Sequence, residues 1–318
     1  MLRYLLGFIL CAGSAIAGAQ QFPDKSITLV VPFSPGGTSD VTARPLAQAM
    51  ASNLGKSIIV ENRAGAGGAI GMAHASKAKP DGYTLLMALP SISIIPASDR
   101  VTGRKSLYSQ SDLKPIARIT ADPTLFVVNA NSPWKTLDDF VQSAKKEPGT
   151  ISYSSSGIYG TTHVAMEMFA QAAGIKLLHV PYPGGGQQVM AVVSQEVQAT
   201  PQALAPLQQH IKAGKLRALA VWGSERLSTL PDVPSMKELG YDVEFQLWTG
   251  MFAPAGTPDD VIKRLRDSVR EAVRSPAFVS TLDSMQTPIQ YLDADEFEKF
   301  LTIDSNRLEA SVVKMGKL

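Results

Sequence analysis

The sequence predicts a two-lobed α/β protein in which each lobe is a doubly wound, mainly parallel sheet. Apolar strand-like runs alternate with helix-like stretches through most of the chain. The runs are almost continuously apolar, which is typical of parallel strands covered by helices on both faces. The chain has 318 residues, of which 45% are hydrophobic, so it is long enough for two domains. Because no linker divides the halves, we expect repeated crossings between the lobes and a cleft between them.

The first 19 residues have the pattern of a secretory signal peptide. Arg3 supplies the positive charge, Tyr4 to Ile16 the apolar region, and Ala17-Gly18-Ala19 the cleavage site. This apolar run is shorter than the roughly 20 residues that span a bilayer. A buried N-terminal helix is the alternative, and a lipoprotein signal at Cys11 is disfavoured by the large Leu10. Cleavage removes the single cysteine, so the sequence predicts an exported protein of the bacterial envelope without disulfides.

The first lobe begins with strands and helices that follow one another closely. The β-branched run from Ser26 ends in Pro-Gly-Gly, and the turn Asp81-Gly82 precedes another apolar run. From Leu89 to Ser111 the sequence reads as irregular and polar. The predicted elements are strands at 26–33, 57–60 and 83–87, and helices at 38–53 and 69–79.

The alternation resumes after residue 115. We predict two strands at 116–120 and 125–129, a helix at 136–146, and strand–helix pairs at 151–154 with 162–173, 176–180 with 187–194, and 197–200 with 205–213. A buried strand at 216–222 and a strand at 243–252 follow. The rest is helical, with one helix opened by Thr257-Pro258-Asp259-Asp260 and a long terminal helix at 295–315. The predicted lobes are residues 20–122 with 222–318, and residues 123–221.

The composition and motifs exclude several functions. The 30 basic and 28 acidic residues show no basic cluster, so nucleic acid is not an expected partner. The four histidines lack metal-binding spacing, and no G-x-S-x-G motif occurs. A Ser154–His163 pair is conceivable but has no orienting third group. The glycine run at 65–71 fails the dinucleotide fingerprint at Ile70. We therefore predict no catalytic residue, metal or cofactor.

Three loops each follow a strand and open a helix, which is where backbone N–H groups can bind an anion. The first is 34–40, where Thr38, Ser39 or Asp40 could instead cap the helix; we assign Asp40 to capping, with Arg44 as a partner. Pro45 predicts a kink or a late helix start. The second loop is 153–162, rich in hydroxyls that can donate to a carboxylate, with a capped polar turn as the alternative.

The third loop is 181–186, a Pro-Tyr-Pro-Gly-Gly-Gly segment. Tyr182 could lie against a ligand or pack at the edge of a lobe. The first two loops belong to different lobes, so their helix N-termini could face each other across the cleft.

At the level of whole motifs, the chain resembles the Bug family, the periplasmic receptors of tripartite tricarboxylate transporters. The matching motifs, in order, are PFSPGGTSDVTAR (32–44), ENRAGAGGAIG (61–71), KPDGYTLLM (79–87), HVPYPGGG (179–186), HIKAGKLRALAV (210–221), LPDVPS (230–235) and FAPAGTP (252–258). The resemblance implies a type II periplasmic binding protein fold that closes on a small carboxylate. It also implies delivery to a membrane permease, with the protein as a monomer. A ligand sensor acting on a kinase and a secreted hydrolase are the alternatives.

The resemblance places the carboxylate between the first two loops, held by backbone N–H groups, hydroxyls and water. One departure concerns Gln202, which stands where relatives often have a carboxylate, and this favours a di- or aromatic carboxylate over an amino acid. The alternative is that Gln202 only packs and carries no information on specificity. The predicted ligand-binding residues are Ser34, Gly36, Gly37, Thr38, Ser91, Ser154, Ser156, Gly157, Tyr159, Thr161, Thr162, Tyr182, Gly184 and Gln202.

Overall fold

The structure is a computed structural model that describes residues 22–317, so the predicted signal peptide lies outside the described residues. This part of the chain forms ten strands and ten α-helices. The strands are β1 Ile27–Val31, β2 Ile58–Asn62, β3 Thr84–Ala88, β4 Leu113–Asn129, β5 Ser152–Ser155, β6 Leu178–Pro181, β7 Ala199–Gln202, β8 Leu216–Trp222, β9 Gln246–Pro254 and β10 Ile289–Asp293. The helices are α1 Thr38–Leu54, α2 Ala69–Ser76, α3 Ser91–Thr102, α4 Leu137–Lys146, α5 Thr161–Ala173, α6 Gly185–Val193, α7 Leu204–Lys212, α8 Asp259–Ala272, α9 Pro276–Ser284 and α10 Ala294–Met315.

The strands follow the order β2-β1-β3-β9-β4-β7-β5-β6, with β8 and β10 also paired to β4. The pairs β1–β2, β1–β3, β5–β6 and β5–β7 are parallel. The first lobe is built on β1, β2, β3, β9 and β10, and the second lobe on β5, β6, β7 and β8. This arrangement puts the carboxyl ends of parallel strands from both lobes beside one cleft, where ligands of open α/β sheets bind.

The 17-residue strand β4 joins the two lobes. Its first part pairs with β9 as far as Pro123, and from Thr124 onward it pairs with β8. The prediction of two separate strands here was wrong. The segment around Asp122 and Pro123 has turn-like residues, but the chain stays extended because Pro123 lies where β4 exchanges partners and a ladder hydrogen bond is dispensable.

The region from Leu89 to Ser111, predicted as irregular, contains helix α3. This prediction was wrong because α3 is buried along almost its whole length and so has no polar face to produce a helical pattern. Pro96 and several serines also argued against a helix. The buried hydroxyl of Ser98 donates to the carbonyl of Ile95, which satisfies it inside the helix.

The helices α3 and α10 tie the lobes together. One apolar cluster combines Ile94 of α3 and Leu308 of α10 with Phe126, Phe140 and Phe169 of the second lobe. Helix α1 runs from Thr38 without the late start that Pro45 predicted. Within residues 22–317, no helix has both the length and the apolar character needed to span a bilayer.

Candidate functional site: the cleft between the lobes

Three of the helices that begin beside the cleft have a glycine at the N-cap. Gly37 precedes α1, Gly160 precedes α5 and Gly184 precedes α6, and none of these helices has a side-chain cap. By contrast, α4 and α10 carry complete capping boxes. The N–H groups in the first turns of α1, α5 and α6 therefore remain available at the positive ends of three helix dipoles.

An inner cavity of about 10 Å³ lies among these helix ends. Such a volume holds about one water molecule, so the lobes must separate to admit a solute. None of the described residues that line it is ionisable; they are Phe33, Gly37, Thr38, Ser39, Leu89, Ser156, Thr162, Gly185, Gln202 and Leu247. The wall is thus built from hydroxyls, one amide, backbone and apolar side chains.

The lobes meet at this cavity backbone to backbone. A Cβ atom on Gly37 would lie 3.1 Å from both the Cα and the N atom of Gly185. A Cβ atom on Gly184 would lie 2.5 Å from the N atom of Ser34. Larger residues would hold the lobes apart, which explains why both glycine loops lack side chains at the contact.

Two buried hydrogen bonds also cross between the lobes. Thr38 Oγ1 donates to Oε1 of Gln202 at 2.7 Å, and the N–H of Ser91 donates to Oγ1 of Thr161 at 3.0 Å. The same Oε1 atom of Gln202 accepts the N–H of Ala203 at 2.9 Å. In the described part of the chain, Nε2 of Gln202 donates to no residue, so the amide still offers a donor beside Gly185.

The hydroxyl of Ser39 is buried and has no hydrogen-bond partner among the described residues. Ser39 is 1% exposed and lines the inner cavity. The hydroxyl of Ser91, at the start of α3, is likewise buried without a partner. Because buried polar groups are nearly always satisfied, orphaned hydroxyls at a cleft indicate a bound polar solute or water.

Asp40 orders the first loop and keeps its charge away from the cavity. Its carboxylate accepts hydrogen bonds from the N–H of Gly36 at 3.0 Å, from Arg44 at 2.9 and 3.0 Å, and from Asn62 at 2.9 Å. Burial opposes ionisation, but these bonds outweigh it and lower the pKa of Asp40. The Arg44 partner was predicted, whereas the carboxylate binds the loop residue Gly36 instead of capping α1.

The other predicted site residues have different surroundings. Ser154 Oγ donates to the carbonyl of Gln188 at 2.9 Å, and the hydroxyl of Tyr159 donates to the carbonyl of Gly316 at 2.8 Å. Gly157 and Tyr182 line a second, larger cavity at the cleft mouth. Of the predicted residues, those that line the inner cavity are Gly37, Thr38, Ser156, Thr162 and Gln202. Ser34, Gly36, Gly184, Ser91 and Thr161 lie at the lobe contact around it.

The conceivable Ser154–His163 pair does not form. Nδ1 of His163 accepts the N–H of Tyr159 at 2.8 Å, and Ser155 Oγ lies 2.5 Å from Nε2 of His179. The two imidazoles stack with centroids 3.8 Å apart. Burial lowers the pKa of His163 to about 3, with His179 adding to the shift, and burial lowers the pKa of His179 to about 4. Both rings are therefore neutral near pH 7 and fill space under the second loop.

Sequence reasoning missed half of the cavity wall. Ser39 and Gly185 belong to loops that were identified, and their position next to predicted residues was the available signal. Phe33, Leu89 and Leu247 are apolar residues of a kind that fills every core, so no sequence signal marked them. Among residues 22–317, no cluster of three His, Cys, Asp or Glu side chains is placed to hold a metal ion.

The two-lobed fold and the uncharged polar cavity between its lobes are those of a solute-binding receptor. Residues 42–317 match the family described as tripartite tricarboxylate transporter family receptor. A UPF0065 protein of Bordetella pertussis (strain Tohama I) is 35% identical over 99% of this chain and 97% of its own length. The chain therefore belongs to the tripartite tricarboxylate transporter receptor family, as its motifs predicted.

Solved structures agree on the fold. The periplasmic binding protein BugD superposes with a TM-score of 0.86 at 29% identity, covering 93% of this chain and 99% of that one. MatC from Rhodopseudomonas palustris with bound malate superposes with a TM-score of 0.86 at 26% identity, covering 92% of this chain and 100% of that one. An adipate complex from R. palustris gives 0.84 at 28% identity, covering 91% and 97%. These likenesses confirm the predicted fold class and the periplasmic binding protein type.

Proposed function

We propose that the protein captures a small carboxylate in the periplasm and delivers it to a membrane transporter of the tripartite tricarboxylate type. The observation that carries this proposal is the inner cavity, which has no ionisable side chain and lies at three uncapped helix N-termini. Such termini favour anions through their free N–H groups and their dipoles. The role is capture and release, with no chemical step.

The cavity suits a carboxylate because no negative charge opposes it. The nearest acidic side chain on the first loop is Asp40, and its carboxylate is occupied by Arg44, Asn62 and the N–H of Gly36. The orphaned hydroxyl of Ser39 and the Nε2 group of Gln202 add donors without a counter-charge. Carboxylates satisfy such donors with two oxygens and up to four lone pairs.

Gln202 favours an acid without an ammonium group. The ammonium group of a bound amino acid needs a negatively charged partner, and the amide of Gln202 is neutral. The solved relatives with malate and adipate hold dicarboxylates of this kind. We therefore expect dicarboxylates without an amino group to bind more tightly than glutamate or aspartate.

Closure provides the binding mechanism. The first lobe contributes Thr38 and Ser39, and the second contributes Ser156, Thr162 and Gln202. An open form can bind the solute on one lobe, and contacts with the other lobe then favour the closed form. The bond from Thr38 to Gln202 and the Gly37–Gly185 contact are two of the direct lobe-to-lobe interactions of that form.

A thermal-shift and calorimetric panel tests this proposal. Purified protein is titrated with succinate, malate, adipate, citrate, benzoate, glutamate and aspartate, after refolding to remove any co-purified solute. A ligand at about 100 times its Kd adds roughly 2.7 kcal/mol to the free energy of unfolding. Tighter binding of aspartate than of its deaminated analogue succinate would contradict the ligand class, and silence across the panel would contradict the carboxylate assignment. Loss of uptake of the identified acid in cells lacking the receptor tests delivery separately.

A further inference from the structure

A second cavity of about 500 Å³ opens at the outer edge of the cleft. Its volume lies within the roughly 300–1,000 Å³ of small-molecule sites. It has no lining residue in common with the inner cavity. The loop contact between Gly67 and Gly157 borders it, where a Cβ atom on Gly157 would lie 2.6 Å from the N atom of Gly67. The outer cavity is therefore a distinct space between the same two lobes.

The wall of the outer cavity is largely apolar. Ile95, Pro181, Pro183 and the ring of Tyr182 contribute to it from both lobes. The side chains of Leu107 and Ile158 also line it, although they are 50% and 52% exposed. Exposed aliphatic side chains gathered around a concave surface indicate a site that buries an apolar ligand.

The charged groups at the rim sum to a single positive charge. Asp99 and Arg104 form an ion pair at 3.1 Å, and the guanidinium of Arg104 also lies over the ring of Tyr159. Lys105 is exposed and forms no ion pair with any residue in the described part of the chain. One uncompensated cation beside an apolar wall matches a ligand with one anionic group and a hydrophobic body.

We propose that the outer cavity is a second ligand site, which binds an amphipathic monocarboxylate with its apolar body against Ile158 and its carboxylate at Lys105. Residues 65–107 of the first lobe and residues 157–183 of the second lobe both supply the wall. A ligand here contacts both lobes only when they are together, so it favours the closed form. By linkage, it tightens the binding of a solute in the inner cavity, and that solute tightens the binding of the second ligand by the same factor.

Calorimetric titration with octanoate tests the proposal, with octanamide as the neutral probe of equal length. We expect one saturable octanoate site and about tenfold weaker binding of octanamide, because the amide lacks the charge that Lys105 recognises. Ile158→Asp should abolish octanoate binding by placing a carboxylate in the apolar wall. Ile59→Asp is the matched control, because Ile59 on strand β2 is 55% exposed and does not line the cavity.

The charge is tested by Lys105→Gln, which should weaken octanoate binding about tenfold and leave octanamide binding unchanged. Lys145→Gln, on the exposed face of α4, should change neither. Three results would overturn the proposal: no saturable octanoate binding, unchanged affinity in Ile158→Asp, or strict competition between octanoate and malate. If malate fails to bind while octanoate behaves as expected, the proposed function fails and the second site stands.

Discussion

Thr38 and Gln202, 164 residues apart, share a buried hydrogen bond of 2.7 Å that joins the two lobes across the cleft. Thr38 is the first residue of α1, and Gln202 is the last residue of β7. Both side chains line the inner cavity. The same pair thus links the two lobes and places polar atoms at the inner cavity.

Replacing Thr38 with valine should weaken solute binding about fivefold, since one buried hydrogen bond contributes about 1 kcal/mol and closure depends on it. Valine keeps the shape of the side chain but leaves Gln202 Oε1 with only the N–H of Ala203. Calorimetry with the identified acid measures the effect. Thr42→Val is the control, because Thr42 Oγ1 donates to the carbonyl of Thr38 within α1 and crosses no lobe boundary. Equal losses in both variants would show that closure does not use this bond.

Replacing Gly37 with valine should weaken binding by about five- to 150-fold, which corresponds to the roughly 1–3 kcal/mol cost of overpacking. The new Cβ would lie 3.1 Å from Gly185, so the lobes could not meet. Folding should be unaffected, because an open arrangement relieves the contact. Gly223→Val is the matched control, since its Cβ would have no neighbour nearer than 3.8 Å. A closed radius of gyration in scattering from the Gly37 variant with saturating ligand would contradict the assignment.

The stacked imidazoles predict sensitivity to acid. Burial, with His179 adding to the effect at His163, lowers their folded pKa values to about 3 and 4, below the unfolded value of about 6.5. The unfolded state therefore binds more protons as pH falls below about 6.5, and stability is lost in that window. As pH falls from about 7 to about 5, the free energy of unfolding of His179→Phe should rise by about 1–2 kcal/mol relative to that of wild type. Denaturant unfolding at both pH values measures this.

Ser155→Ala serves as the control for the imidazole prediction. It removes the hydroxyl beside His179 but keeps both rings, so its acid sensitivity should match wild type. If the difference in the free energy of unfolding between His179→Phe and wild type did not change between pH 7 and pH 5, the imidazole would be solvated in the folded protein.

Asp122 predicts the opposite pH dependence. It is 3% exposed on β4, and its Oδ2 atom has no partner in the described chain. Burial raises its pKa to about 7, against a hydrogen bond from Thr120 that lowers it. The folded state therefore holds a proton between about pH 4 and pH 7 that the unfolded state has lost, so stability falls as pH rises through that window.

Asp122→Asn should remove this loss. Its stability relative to wild type should be about 2 kcal/mol greater at pH 8 than at pH 5, and any constant cost of the amide cancels in that comparison. Asp267→Asn is the control, because ion pairing with Lys263 lowers the pKa of Asp267. The stability of this variant relative to wild type should therefore be the same at pH 5 and pH 8. A flat result for Asp122→Asn as well would place its carboxyl in contact with water.

The glycine loops were predictable from sequence because their requirement is local. A strand that ends in Pro-Gly-Gly or Pro-Gly-Gly-Gly and then opens a helix leaves few alternatives to a close backbone approach. Helix α3 was not predictable in this way. Its burial comes from packing against α10 and the second lobe, so it needs no polar face and lacks the amphipathic pattern on which sequence prediction depends.

By itself, the sequence determined the family, the fold class and the loops at which the helices begin, because motifs, apolar periodicity and turn chemistry act over short distances. Only the tertiary structure decided which side chains share a space. It paired Thr38 with Gln202, directed Ser154 to Gln188 and stacked His163 on His179. It also brought Leu89 and Leu247 to the inner cavity, and Lys105 and Ile158 to the outer one. Such contacts follow from strand order and lobe closure, which join residues that the chain keeps far apart.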